Sequence, residues 1–344
     1  MTINFETSIS VLAEQARNFA IGDPERRSIV SSGSVQPKPR DGHSSAPRLE
    51  LFHFTMSICS QKIRGALFQI GAPFASSELV IMPPLSENYS AEYVKLRMAS
   101  AIARSRPFVN GYSGSSSVEN EGFDPLAVPT LVDHEKGAVV ADSRLIGAYL
   151  DTLSGGALVP LQWQNRTWNE IAIVDAIPHA GLFYGANPDG DNRPEEIRAG
   201  MQGAHSKKIE LIQKRLGGLP AGSTLQRAYR HKIIKEEAGR EFISQPANMR
   251  RIIESTSSTI AQLDQRLAAD ASEWVIPDGC TLADIFWGVS LFRLLFLGYD
   301  WMWKDYPRVS EYAERLFASQ SIQNGVINWP GHPPSERIER LRRQ

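Results

Sequence analysis

A chain of 344 residues with 42% hydrophobic and 22% charged side chains has the makeup of an ordinary globular protein, with room for two domains and a sizeable core. Lys+Arg at 37 against Asp+Glu at 38 leaves a formal charge of -1, which argues against a nucleic-acid binder working through a strongly basic surface. Two cysteines, Cys59 and Cys280, make at most one bridge, so the chain is no disulfide scaffold, and a reducing cytoplasm is the expected setting.

The first residues carry neither the basic start nor the apolar run of a secretory signal, and they read as one short amphipathic helix. From residue 29 to 48 Ser, Pro, Gly and mixed charge dominate. A segment with so little to bury does not offset its ordering entropy. Residues 1–48 are therefore expected to be a flexible extension, with folding beginning near Leu49. From there Leu49, Leu51 and His53 alternate with Glu50, Phe52 and Phe54, the period of a strand. After Thr55-Met56-Ser57 the period changes, and Ile63, Ala66, Leu67 and Ile70 share one face of a helix that stops at Gly71. A second strand is expected over 77–81, before Pro83-Pro84. Two more are expected over Thr130–Asp133 and Ala138–Ala141, joined by the loop His134-Glu135-Lys136-Gly137. Asp142-Ser143 then opens a helix carrying Leu145, Ile146, Tyr149 and Leu150.

This order, β-α-β-β-β-α with a long excursion before the third strand, describes a small α/β domain over residues 49–153. Beyond Ser154-Gly155-Gly156 the strand signals vanish. Met249, Ile252, Ile253, Thr256, Ile260, Leu263 and Leu267 keep helical spacing, as do Leu282, Ile285, Phe286, Val289, Phe292 and Phe296. Residues 154–344 therefore read as an all-helical domain. The apolar stretch 285–298 carries Arg293 and falls short of the roughly 20 residues of a spanning helix, so it reads as a buried helix and no membrane association is expected.

Common chemistry signatures are absent: no dinucleotide fingerprint, no phosphate loop, no HExxH. The histidines show no metal-ligand spacing, so no metal is expected. Gly111-Tyr112-Ser113-Gly114-Ser115 has a serine where a nucleophile elbow needs its second outer glycine, and it reads as a loop. Three short motifs remain. Ser57 and Cys59 sit where the first strand gives way to a helix, and the open N–H groups and positive dipole end there favour a thiolate or a bound anion. The same positions are also explained by Ser57 capping the helix and Cys59 packing inward. Val128-Pro129 enters a strand. A cis bond there would turn Val128's N–H and C=O outward to pair with an extended peptide, whereas a trans proline would simply precede an edge strand. Asp142 and Ser143 cap their helix, and free N–H groups at that end suit a carboxylate.

In this order the motifs resemble the cytosolic glutathione transferases, over about residues 49–329. The resemblance implies a thioredoxin-like domain followed by an all-helical domain. Thr281-Leu282-Ala283-Asp284, a capping box with Cys280 and Ile285 as staple, and Tyr306-Pro307-Arg308-Val309 belong to it as well. Within that superfamily, Phe54-Thr55-Met56-Ser57-Ile58-Cys59-Ser60, Phe123-Asp124-Pro125-Leu126, Leu182-Phe183-Tyr184-Gly185-Ala186, Pro188-Asp189-Gly190-Asp191 and Trp329-Pro330-Gly331-His332 resemble the zeta-like reductive dehalogenases of chlorinated hydroquinones. Those enzymes also carry an extended N-terminus and an insertion, here near 99–125.

The resemblance implies glutathione as cosubstrate, no metal, a small aromatic substrate such as 2,5-dichlorohydroquinone, and a homodimer. It implies that Ser57 hydrogen-bonds the first thiolate and that Cys59 takes the sulfur from an aryl conjugate, leaving a mixed disulfide that a second glutathione releases. Val128 and Pro129 are implied to hold the cysteinyl backbone, and Asp142 and Ser143 the γ-glutamyl end. Phe183, Tyr184 and Trp287 are candidates for the aromatic pocket wall, with core packing as the competing reading. Zeta-type isomerisation of cis-dienes and glutathione-dependent cleavage of aryl ethers use related sites. A transferase fold kept only for binding is the non-enzymatic reading.

Overall fold

This computed structural model describes residues 7–20, 27–31, 38–39, 47–115, 117–270 and 272–342. The first half runs α1 (Ile9–Ala20), β1 (Arg27–Val30), β2 (Lys38–Pro39), β3 (Leu49–His53), α2 (Ile58–Gln69), β4 (Phe74–Glu78), α3 (Ala91–Met98), α4 (Ile102–Ser105), α5 (Val118–Glu121), β5 (Thr130–Asp133), β6 (Ala138–Ala141) and α6 (Ser143–Leu153). The strands stand in the order β2-β1-β4-β3-β5-β6. β3 and β4 are parallel, and every other neighbouring pair is antiparallel. β5 and β6 have the bounds expected from the sequence and pair Thr130 with Ala141 and Asp133 with Ala138.

Several elements differ from expectation in this half. The second strand of the α/β unit lies at Phe74–Glu78 rather than 77–81, because its ladder position follows its partner: Leu49 faces Phe74 and His53 faces Glu78. The apolar residues beyond it run on only as far as one further bond, Leu79 N–H to the His53 carbonyl at 2.7 Å. Helix α3 falls inside the excursion, where no helix is expected. Ser90 caps it through the Tyr93 N–H at 3.2 Å, and Tyr93, Val94, Leu96, Arg97 and Met98 are all buried. Burial on nearly every side removes the one-faced stripe by which a helix is recognised in sequence.

The expectation that residues 1–48 form a flexible lead-in does not hold for α1 and β1. Leu12, Ala13 and Ala16 are buried in a cluster with Phe52, Tyr93 and Leu96. Arg17 pairs with the buried Glu50 carboxylate, which also accepts hydrogen bonds from Ser77 Oγ at 2.6 Å and His134 Nε2 at 2.8 Å. β1 lies antiparallel on β4, with Ser28 opposite Ser76 and Val30 opposite Phe74. The physical reason is tertiary: α1's apolar stripe is too short to order itself, and it is the sheet and α3 that supply the surface burying it. β1 satisfies ladder groups that β4 would otherwise leave open as an edge. The stretches 1–6, 21–26, 32–37 and 40–46, covered by the same expectation, lie outside the described residues.

The second half is helical: α7 (Gln164–Ala176), α8 (His179–Tyr184), α9 (Glu195–Met201), α10 (Ala204–Leu216), α11 (Thr224–Ser244), α12 (Pro246–Asp270), α13 (Leu282–Phe296), α14 (Pro307–Ala318), α15 (Gln320–Ile322) and α16 (Glu336–Arg342). α13 is buried almost all round, as its unbroken apolar run demands. At its start Asp284 accepts from the Thr281 N–H (2.8 Å) and hydroxyl (2.7 Å), the Val275 N–H (2.9 Å) and the Tyr312 hydroxyl (2.8 Å), so this buried carboxylate is fully satisfied. α2 packs between α6 and α13, and a π-helical turn at Gln323–Ile327 lies directly on it. A Cβ at Gly325 would come within 2.6 Å of the Gly65 nitrogen, so glycine is what permits this approach. Among the described residues no helix is long and apolar enough to cross a membrane.

If α1 is part of the folded body, Leu12→Ala removes a buried side chain and costs about 2–5 kcal/mol. The expected outcome is a clear drop in the midpoint of thermal unfolding; a midpoint unchanged from the parent protein would show that α1 does not dock.

Candidate active site

The site begins with a problem of backbone chemistry. The turn at 54–57 joins β3 to α2 at the interface between the two halves, where Thr55 and Met56 are buried, and its carbonyls need donors. Two buried guanidinium groups supply them. Arg64, on α2, donates to the Phe54 carbonyl at 3.3 Å and the Thr55 carbonyl at 3.0 Å, and its Nε reaches the Gly325 carbonyl at 2.8 Å. Arg293, on α13, donates to the Met56 carbonyl and to Gln61 Oε1 at 3.1 Å. Burial lowers Arg64's pKa to about 9 and Arg293's to about 10, so both remain cationic at neutral pH.

On this platform Ser57 is the N-cap of α2, its Oγ accepting from the Ser60 N–H at 3.3 Å. Since that bond uses a lone pair, the hydroxyl hydrogen remains to be donated. Cys59 lies in the first turn, half-buried, and is not in a disulfide. Arg293 and Lys62 both lie within electrostatic reach of it. Lys62 is itself buried. Burial opposes its charge, but Asp175 at 2.5 Å outweighs that and raises its pKa.

The Val128–Pro129 peptide bond is cis. Arg97, on α3, donates to the Pro129 carbonyl, to Thr130 Oγ1 at 3.1 Å and to the Asp124 carbonyl at 2.9 Å, fixing the turn from behind. Val128 makes no backbone–backbone hydrogen bond among the described residues. Asp142 sits at positive φ (83°) and caps α6, accepting from the Arg144 N–H at 2.9 Å and the Leu145 N–H at 3.3 Å. Burial, with nearby Asp175, raises its pKa.

A single cleft brings together Ser57, Cys59, Val128, Pro129, Asp142 and Ser143 from the first half with Phe183, Tyr184 and Arg293 from the second. Trp287 is not among them. It is fully buried, its Nε1 donating to Glu170 Oε2 at 3.3 Å, and it packs in the helical core. The cleft-facing residue of α13 is Arg293, and a separation of six residues puts the two on different faces of the helix.

The far wall holds groups to which the sequence assigns no role in the site. The insertion contributes Tyr112, Ser115, Glu121 and Asp124, while α10 and α11 contribute His205, Lys208, Lys232, Lys235 and Glu236. The charges are interleaved. Lys232 lies 2.7 Å from Asp124 and 3.0 Å from Glu236, and Lys235 lies 2.8 Å from Glu121. Burial pushes Asp124's carboxyl up, but Lys232 and Lys235 outweigh it and hold the pKa down to about 2. The five-residue motif at 111–115 is a loop, as expected. The Gly114 carbonyl accepts from the Ala180 and Gly181 N–H groups, tying the insertion to α8 above the cleft. Lys232 and Glu236, an i,i+4 pair, read in sequence as an exposed helix face. Arg97 stands on the helix that has no one-faced stripe. Among the described residues no three His, Cys, Asp or Glu side chains gather as a metal site.

Residues 56–153 match the model for the glutathione S-transferase N-terminal domain, and residues 246–315 that for its C-terminal domain. Two proteins named 2,5-dichlorohydroquinone reductive dechlorinase, from two strains of Sphingobium indicum, are each 46% identical to the chain over 337 residues, covering 96% of it and 97% of their own length. The chain belongs to the glutathione transferase family. Among solved structures, the beta-etherase LigF from Sphingobium sp. shares the fold. Its TM-score is 0.52 at 16% identity, covering 81% of this chain and 98% of that one. A transferase of this fold pairs a glutathione-binding first domain with a helical domain lining the other substrate's cleft, and here the insertion adds a charged third wall.

That wall has a measurable consequence. Asp124's depressed pKa contributes stability that is fully present above the ordinary carboxylate range and is lost as pH falls through that range toward about 2. Lys232→Met leaves Asp124 and Glu236 buried with fewer counter-charges, which costs about 3–5 kcal/mol. Denaturant titrations at neutral pH and at low pH should show a large loss that shrinks on acidification. Equal stability of variant and parent at neutral pH would refute the buried pairing.

Proposed function

We propose that the protein is a glutathione-dependent reductive dechlorinase of chlorinated hydroquinones, acting on 2,5-dichlorohydroquinone or a close analogue. The observation that carries this reading is the placement of Ser57 and Cys59 at one helix end, in one cleft with the Val128–Pro129 turn and Asp142. It is joined by 46% identity across nearly the whole chain to two proteins of that named activity.

Val128 pairs with the cysteinyl backbone of glutathione beside Pro129, while Asp142 and Ser143 hold the γ-glutamyl end. Ser57 donates its hydroxyl hydrogen to the glutathione sulfur. The thiolate adds to the quinonoid tautomer of the substrate, and chloride leaves with the electrons of the C–Cl bond. The product of this step is a glutathionyl hydroquinone. Cys59, as thiolate, then attacks the glutathionyl sulfur. An S–S bond forms, the aryl C–S bond breaks, and the ring carbon keeps the electron pair and takes a proton. A second glutathione thiolate exchanges with the mixed disulfide, releasing oxidised glutathione and restoring Cys59. Two thiols are oxidised, and one C–Cl bond is replaced by C–H.

The helix end, Lys62 and Arg293 surround Cys59 with the positive potential that a nucleophilic thiolate needs. Phe183 and Tyr184 supply the wall for the aromatic ring. Thiol chemistry of this kind suits a reducing compartment, and we assign the protein to the cytoplasm. We assign it as a homodimer as well, with Leu145 exposed on α6 as an apolar contact that sizing by light scattering would test.

Two mutants separate this reading from its relatives. Cys59→Ser should still form the glutathionyl conjugate but stall there, with little oxidised glutathione. Ser57→Ala should slow conjugate formation itself. An isomerase would consume no glutathione, and an ether-cleaving transferase would give a conjugate as its normal product. Mass spectrometry of the products, with chloride and oxidised glutathione measured together, checks all of these. Full dechlorination by Cys59→Ser would sink the assigned role of Cys59.

Replacing Asp142 with Ala removes a charge-assisted hydrogen bond worth about 1.5–3 kcal/mol, so glutathione affinity should fall by about ten- to a hundredfold. Unchanged affinity by calorimetry in a folded variant would displace Asp142 from the glutathione site.

A further inference from the structure

The far end of the cleft holds a histidine arranged as a base. His205 is 4% exposed, and its Nδ1 lies 2.6 Å from Glu236 Oε2. Glu236 is kept ionised: burial opposes its charge, but Lys208 and Lys232 hold its pKa well below the usual carboxylate range. An ionised carboxylate only accepts, so Nδ1 carries the hydrogen and Nε2 presents its lone pair. Nε2 has no hydrogen-bond partner among the described residues. The Tyr112 hydroxyl, buried as well, has none either, and its ring stands edge-on to the imidazole at 5.8 Å. On the other side the Tyr184 ring lies 4.8 Å away, and its hydroxyl oxygen accepts from Lys208 at 2.5 Å, which leaves the phenolic hydrogen to be donated. Room for this arrangement depends on Gly239 of α11, where a Cβ would lie 2.7 Å from His205 Cε1 and 3.1 Å from Tyr112 Cδ2.

The geometry points to His205, oriented by Glu236, as the general base that takes the phenolic proton of the aromatic substrate, with Tyr184 donating to the oxygen so formed. This rests on the reading above that the substrate is a hydroquinone. An electron-rich chlorinated ring resists thiolate attack until it reaches its quinonoid tautomer, and that conversion starts with loss of the O–H proton. In the step the substrate O–H bond breaks, its electron pair stays on oxygen, and the proton bonds to His205 Nε2. The imidazolium is then paired with Glu236. Lys208, hydrogen-bonded to Tyr184, strengthens that tyrosine as a donor to the phenolate oxygen. Tyr112 is left as a second hydroxyl at the same station. The sulfur chemistry at Cys59 and the proton chemistry at His205 thus occupy two ends of one cleft, with Phe183 and Tyr184 between them: Arg293 stacks on Phe183 at 5.1 Å, and Phe183 meets Tyr184 at 5.4 Å.

The test uses the full-length protein with glutathione and 2,5-dichlorohydroquinone. His205→Gln should lower kcat for chloride release by about a hundred- to ten-thousandfold, the usual contribution of a general base, with glutathione affinity unchanged by calorimetry. The pH profile of the unmutated enzyme adds a test that needs no variant. Burial draws His205's pKa below the usual histidine value against the pull of Glu236. Lys208 on its own helix, Lys232 on α11, Tyr112, Tyr184 and, from the outer side, Arg198 and Arg240 complete its charged surroundings. The rate should therefore be constant above the histidine range and fall as acid protonates Nε2. Glu236→Gln, lacking the carboxylate that raises this pKa, should move the fall to lower pH. A profile flat through and below the histidine range, or a folded His205→Gln enzyme with parental kcat, overturns the role of His205. Absence of chloride release from the unmutated enzyme instead overturns the substrate reading on which it rests.

Discussion

Everything at the sulfur end of the cleft depends on the three carbonyls at positions 54–56. Two guanidinium groups from different parts of the chain donate to them: Arg64 from the helix that carries Cys59, and Arg293 from the core helix of the second half. Such charge-assisted bonds are stronger than neutral ones and directional. They fix the turn, so Ser57 and Cys59 face the cleft at a set height, and they leave positive charge beside a thiol. One arrangement thus serves packing between domains, backbone satisfaction and electrostatics together. Its price is that truncating Arg64 takes the guanidinium donor from the Thr55 carbonyl, and truncating Arg293 takes it from the Met56 carbonyl.

The same logic extends along the cleft. Arg97 holds the Pro129 carbonyl from behind, so a third buried guanidinium braces the turn opposite α2. At the far wall the charge is balanced by interleaving: Lys232 and Lys235 stand against Asp124, Glu121 and Glu236. Burying any one of these ions alone would be prohibitive, whereas the alternating set is tolerable. The set joins the insertion to α11, so the cleft wall is built from both.

Within the sheet, on the interior strand β3, Glu50 plays a comparable part. Its carboxylate gathers Arg17, Ser77 and His134, so the N-terminal helix, β4 and the hairpin loop meet at one buried charge. The extension thereby becomes part of the first domain's core.

The sequence by itself determined the elements whose pattern is local. Alternation placed β3, the hairpin loop at 134–137 placed β5 and β6, helical spacing of apolar residues placed α2, α12 and α13, and the capping chemistry of Ser57 and Asp142 set the two helix starts that carry the proposed glutathione-site residues. It also carried enough of the motif order at Ser57, Cys59, Val128-Pro129 and Asp142-Ser143 to identify the family. What only the tertiary structure decided are features whose partner lies far along the chain. α1 and β1 order because a sheet edge and α3 receive them. α3 escapes notice because it is buried on nearly every side. Trp287 leaves the cleft and Arg293 enters it because a neighbouring helix, and not the residue type, selects which face of α13 looks inward. Lys232 and Glu236 look like a solvated helix pair until the insertion closes over them and turns ordinary surface charges into a buried network. Local periodicity records which residues share a face; it holds no record of what that face will meet.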